Sequence, residues 1–277
     1  MIRSLRAELT KIGHWPAYGA LLALWAILSI VFAYVTPYLA YANPVAGASA
    51  LAQQTALAHL LPAQIVGQEI PGYPLFGGVI ALAIGALAMG SEFGWGTWTT
   101  ILLQEPGRAR VVAGKLAALL LAVGGQVLIG FVVALVASTL IALAQRAPIA
   151  APDAVNLLSG LLVAWLIVAV WAAFGALLAA ALRSTAMPIG AGFVYLLLEE
   201  LVSGLAGRST LIATFTRLLP GTSAGSLASS ILPTALGPTA PGMNTLIAGP
   251  EAALVLLLYA LVAGGLTGAI IARRDVR

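Results

Sequence analysis

The chain has no cysteine, only two histidines, and little charge: Asp, Glu, Lys and Arg make up 8% of its 277 residues, against about a quarter in a soluble domain. Without cysteine there are no disulfides, no thiol catalysis and no thiolate metal site. Two histidines and no carboxylate cluster at ligand spacing give no basis for expecting a bound metal. The scarcity of charge excludes an ordinary soluble domain, and 61% of the residues are hydrophobic, with a mean hydropathy of +1.04. The formal charge of +4 is dealt out among the loops rather than gathered on one face, so no nucleic-acid partner is expected.

What is present is a series of long apolar runs. Runs of this length match helices crossing a core of roughly 30 Å and are too continuous for an outer-membrane barrel. Backbone groups in lipid must be satisfied within the helix. The expected fold is therefore all-α and polytopic, a single domain over residues 1–277 with six transmembrane helices at about 17–39, 75–89, 111–144, 157–182, 188–205 and 252–272. Ahead of them, Ile2, Leu5, Leu9 and Ile12 recur at helical spacing opposite Arg3, Arg6, Glu8 and Lys11. That pattern predicts an amphipathic interfacial helix within residues 1–16, with Trp15 as a headgroup anchor. The basic start and Ala40-Tyr41-Ala42 imitate a signal peptide, but the apolar run exceeds the roughly 7–15 residues of a signal core. Span one is expected to stay.

Residues 42–74 carry Pro44, Pro62, Pro71 and Pro74 and read as an external segment with one short helix near 48–61. Residues 207–250, rich in Gly, Pro, Ser and Thr, read as a second external segment with short helices near 211–219 and 224–232. Apart from Arg146, Arg208 and Arg217, all of the 13 Lys and Arg fall on one side of this arrangement. The positive-inside rule makes that side the cytoplasm, with both termini there and the chain multi-pass in the cell membrane.

Residues 90–110 form the polar break on the cytoplasmic side. Glu92 follows span two directly, Gly96 loosens the chain, and Thr97 to Gln104 can form two helical turns with Trp98, Ile101 and Leu102 on one side. Glu105-Pro106-Gly107 ends that helix, because the residue before a proline is pushed out of the α region. Glu92, Gly96-Thr97, Leu102-Leu103, Pro106, Arg108 and Gly114-Lys115 together resemble the loop between the second and third spans of ABC transporter permeases of the type-2, export family. The amphipathic start with Glu8 and Lys11, the six spans and the Arg273-Arg274-Asp275 tail agree with it. The chain departs from the pattern at Arg108, where the family often has a Ser ahead of its Arg.

The resemblance implies a permease subunit that pairs with a second one, a homodimer partner or a paralogue, and works with cytoplasmic ABC ATPase subunits. By that resemblance Thr97 to Leu103 is a coupling helix, bracketed by Glu92 and Arg108, with Gly96, Thr97, Trp98, Ile101, Leu102 and Leu103 at the contact. ATP and Mg would be bound by the partner, and no cofactor or enzymatic activity is expected in this chain. Gly114-Lys115 is not a phosphate loop: GxxxxGK[ST] would need Gly at Ala109 and Ser or Thr at Leu116.

Three other signals carry chemistry. Gly221-Thr222-Ser223-Ala224-Gly225 matches the GxSxG elbow of serine hydrolases, but His14 is predicted inside and His59 lies far upstream, so Ser223 lacks a base. Glu199 and Glu200 sit just past mid-membrane at about 1.5 Å per residue from Pro188, where an ionised carboxylate costs about 2.5–3.5 kcal/mol. Either span five ends early and they meet water, Arg208 or Arg217, or one of them lines the translocation path. The alternative, an ATP-independent ion-coupled carrier or channel, predicts acidic or polar residues spread through several spans, and apart from Glu199 and Glu200 the spans are almost bare of them.

Overall fold

The structure is a computed structural model describing residues 2–44, 47, 49–98, 107–205, 209–232 and 240–273. Among the described residues there is no strand, and six helices are long and apolar enough to cross a membrane: Pro16–Ala42, Pro62–Gly94, Ala109–Ala144, Ala154–Leu182, Ala186–Ser203 and Gly249–Arg273. The chain is an all-α polytopic membrane protein. Before span one lies α1, Ile2–Gly13, and Pro16 opens the first turn of α2, Pro16–Ser29, where a missing N–H costs nothing. Pro37 has no N–H to offer the carbonyl of Ala33. The helix widens just there into a π segment, Ile30–Val35, and resumes as α3, Thr36–Ala42.

Span two begins earlier than the prolines suggest. After α4, Ala50–His59, capped by the Ser49 hydroxyl accepting from Ala52 N at 3.2 Å, the chain is nearly continuously helical from Pro62. It runs through a 3₁₀ turn, α5 at Ile65–Glu69, a second 3₁₀ turn, a π segment at Tyr73–Gly77 and α6 at Gly78–Gly94. Residues 62–74, expected in the external segment, thus belong to the helical body, with Ile65, Val66, Ile70 and Tyr73 buried. The physical reason is that Pro62, Pro71 and Pro74 each sit in the first turn of a new segment, where proline is tolerated rather than helix-breaking.

The junction between the π segment and α6 is tied to span three by a side chain. Span three is α7, Arg108–Ala144, and its Gln126, fully buried, donates Nε2–H to Gly77 O at 3.0 Å. Tyr18 ties span one to span three through its hydroxyl, donating to Ala122 O at 2.7 Å. A Gln126→Leu variant removes this buried hydrogen bond between spans two and three, a cost of about 0.5–1.5 kcal/mol. The expected result is a thermal unfolding midpoint in detergent several degrees below the native one, and an unchanged midpoint would count against this role.

Span four, α8, is Ala154–Leu182, started by the Asp153 carboxylate accepting from Asn156 N at 2.8 Å. It packs against α6 with backbone nearly touching backbone: a Cβ at Gly85 would overlap Ala172 O, and one at Gly175 would overlap Leu82 O. These two helices form the centre. Spans one, three, five and six wrap them and keep outward rows such as Leu128, Leu140, Leu201 and Leu261 exposed, as lipid-facing helices do.

Span five, α9, is Ala186–Ser203. Two short helices follow, α10 at Thr210–Thr216 and α11 at Pro220–Ser230, close to the two expected there. Residues Thr222 to Ala228 of α11 are buried against the bundle. Span six is α12, Gly249–Arg273.

Candidate functional site

At the end of the bundle that bears α1, four charged side chains close into a ring. The amphipathic pattern of α1 puts Glu8 and Lys11 one turn apart, where Lys11 Nζ lies 3.0 Å from Glu8 Oε2. Helix α1 lies across the start of span three at Gly114. A Cβ there would come 2.5 Å from Ser4 Oγ and 3.2 Å from Leu5 N, so glycine is what lets the helices approach. The next residue, Lys115, then reaches Glu8 Oε1 at 2.6 Å. From the end of span two, Glu92 Oε1 accepts from Lys11 at 3.1 Å and also from Lys115. The order around the ring is Glu8, Lys11, Glu92, Lys115, with alternating sign. Lys115 and Glu92 are only 4% and 2% exposed, so each charge depends on its neighbours.

Burial pushes the Glu8 carboxyl up, but the ammonium groups of Lys115 and Lys11 outweigh it and hold it below the usual carboxylate value. Burial likewise pushes Lys11 down, and the carboxylates of Glu92 and Glu8 outweigh it and raise it. Both shifts have the sign of a net attractive cluster.

The chain leaves span two at this ring through a defined cap. Thr97 N donates to Glu92 O at 3.1 Å and Gly96 N to Phe93 O at 3.4 Å, the paired bonds of a Schellman ending. Gly96 takes the left-handed conformation, φ 64°, that this ending requires. Trp98 then folds back: it is buried, its ring lies 5.4 Å from Lys115 Nζ, and it packs on Phe93 at 5.5 Å. Trp15 and Trp95 meet edge-on at 6.0 Å beside it.

Of the sequence-predicted coupling residues, Glu92, Gly96, Thr97 and Trp98 are brought together here. Ile101, Leu102 and Leu103 lie outside the described residues, as does the Arg108 side chain, although Arg108 is the first residue of α7. The partnership of Glu8 and Lys11 with Glu92 and Lys115 has no sequence signature beyond four charges flanking apolar runs.

Glu199 and Glu200 lie at the other end. Buried Glu199 accepts from Thr222 N at 2.7 Å, at the start of α11, where a helix N-terminus favours a carboxylate. Gly221 leaves it room, since a Cβ there would come 2.8 Å from Glu199 Oε2. Glu200 Oε1 accepts from Gly242 N at 3.0 Å, and Gly242 has φ 87°. Ser223 of the GxSxG string is fully buried on α11. Among the described residues no group of three or more His, Cys, Asp or Glu could hold a metal ion.

Comparison with known proteins adds one match. A family model described as ABC-2 family transporter protein covers residues 17–276. No curated protein matches the chain.

Proposed function

This chain belongs to the ABC-2 transporter family, and we propose that it is the membrane-spanning subunit of an ATP-driven exporter. In this reading it forms the translocation path with a second permease subunit. Separate ATPase subunits drive it through the segment between spans two and three. Membrane domains of this family typically associate with such ATPases. Both termini and residues 90–110 then face the cytoplasm, and the chain sits in the cell membrane.

The observation that carries the proposal is the four-charge ring. It fastens α1, the end of span two and the start of span three around the segment in question. A partner pressing on that segment would move two spans as one body, whereas a loose loop would absorb the motion. Alternating access then needs two packings that ATP biases through the partner. At the other end Glu199 and Glu200, holding backbone amides of the segment 207–250, would brace the outer wall of the path.

The test is co-purification from native membranes of the unaltered chain and of one with Thr97 to Leu103 replaced by Gly and Ser. An ATPase activity that accompanies the first and is lost from the second, with both chains inserted equally, is the expected outcome. Equal ATPase recovery with both would remove the coupling role of residues 97–103, and none with either would favour an ion-driven carrier.

A further inference from the structure

Span one and the irregular start of span two enclose, together with Pro241, a cavity of about 370 Å³. Its walls are largely apolar, with rings from Trp25, Phe32 and Phe76, the last two stacked at 5.3 Å. Ser29, Gln68 and Glu69 are the polar side chains in the wall, and Glu69 alone among them is an acid. This carboxylate is 2% exposed. Ser29 Oγ donates to its Oε2 at 2.7 Å, and Oε1 has no hydrogen-bond partner among the described residues. Among those residues no Lys, Arg or His forms an ion pair with it, since the ion pairs gather in the ring.

The carboxylate is deep in the bundle. On span three it lies level with Gly130, where a Cβ would come 2.5 Å from both Glu69 Oε1 and Tyr73 Oη and 2.8 Å from Trp25 Nε1. From Lys115 in the ring to Gly130 is about 22 Å of helix at 1.5 Å per residue. With the ring at headgroup level, Glu69 stands inside a hydrocarbon layer of about 30 Å. An acid at that depth is expensive to maintain and, by default, marks a ligand or ion pathway.

We propose that this cavity binds a monovalent organic cation with an apolar body, its charge held by Glu69 and its flank by the rings of Trp25, Phe32 and Phe76. A metal ion would want several oxygen ligands from charged groups, and here there is one carboxylate among aromatic faces. Aromatic faces attract cations most strongly when water is excluded. The volume lies within the range of about 300–1,000 Å³ typical of small-molecule pockets. Ser29 holds the carboxylate at the cavity wall through Oε2, while Oε1 turns toward Gly130 of span three. The ligand meets the negative charge of the group, which no Lys, Arg or His among the described residues pairs in an ion pair.

The binding test needs no ATPase, so its failure and that of the coupling reading are separable. The probe is ethidium, titrated into the full-length chain in lipid nanodiscs with empty discs as background, and phenanthridine is the uncharged comparator. Expected is saturable binding with phenanthridine failing to compete, weakened about tenfold or more by Glu69→Gln and several-fold by Phe32→Ala. Phe32 is 54% exposed, so truncating it spares the fold; if Glu69→Gln fails to assemble, Phe32→Ala decides by the same two outcomes. Binding no greater than to empty discs, or equal binding by the native chain and the variants, would overturn the site.

Discussion

Replacing Lys115 by methionine is expected to destabilise the chain by about 3–5 kcal/mol, the cost of leaving a buried charge without its partner. Methionine keeps an unbranched apolar stem and removes only the ammonium. Glu8 and Glu92 then share Lys11 alone, and the closed alternation becomes two carboxylates around one cation. The loss should appear as a lower thermal midpoint in detergent and as easier proteolysis of α1, because the tie from α1 to span three through Glu8 is gone. Adding Glu92→Gln to Lys115→Met should restore part of the loss, since neutralising both partners removes the uncompensated charge; a double-mutant cycle measures that coupling. A Lys115→Met chain that melts like the native one would mean the ring contributes nothing.

The same ring sets a pH dependence. The Glu8 carboxyl is held below its ordinary 4.5, so its contribution is complete above that value and is lost as pH falls through the lowered one. The Lys11 ammonium is raised above its ordinary 10.5, so its contribution is complete below that value and is lost as pH rises through the raised one. Stability from the ring should therefore be flat across the neutral range and fail at both extremes. Burial is the largest influence on Glu8 and Lys115 the largest opposing it. In Lys115→Met the acid limb should consequently begin at a higher pH, which pH-dependent unfolding of the two chains would reveal.

The spans were legible because an uninterrupted apolar run has few alternatives in water or lipid. The start of span two was not, because proline reads as a breaker in sequence, and only the structure shows Pro62, Pro71 and Pro74 each opening a turn. Glu8 and Lys11 could be paired from helical spacing alone. Lys115 stands 107 residues from Glu8, and no local pattern announces that contact. Glu199 stood out as an acid in an apolar run, but its partner is a backbone amide of Thr222, a donor that almost every residue carries and that sequence therefore cannot single out. Gly96 was read as loosening the chain, whereas its left-handed geometry closes the end of span two.

Glycine spacing gives the last expected result, because the sequence pattern and the tightest helix crossing coincide only in part. Gly90 and Gly94, and Gly264 and Gly268, have the GxxxG spacing associated with close helix contact. Of the four, Gly90 alone is tight, with a Cβ there 2.7 Å from Ser184 O; one at Gly94 would meet nothing within 4 Å, and those at Gly264 and Gly268 would sit at an ordinary 3.6 Å from Leu116 Cδ1 and 3.9 Å from Val112 Cγ1. The tight crossing is at Gly85 and Gly175, where each would drive a Cβ into a backbone carbonyl of the facing helix. A side chain can rotate away, but a carbonyl in a helix moves only with its helix. Gly175→Val must therefore separate spans two and four, the centre of the bundle, and should cost about 3 kcal/mol, the upper end of ordinary overpacking. Gly264→Ala should stay within about 0.5 kcal/mol. Thermal unfolding of both variants in detergent decides the matter: equal midpoints would deny the crossing its importance, and a large loss confined to Gly264→Ala would shift the close packing to the face of span six.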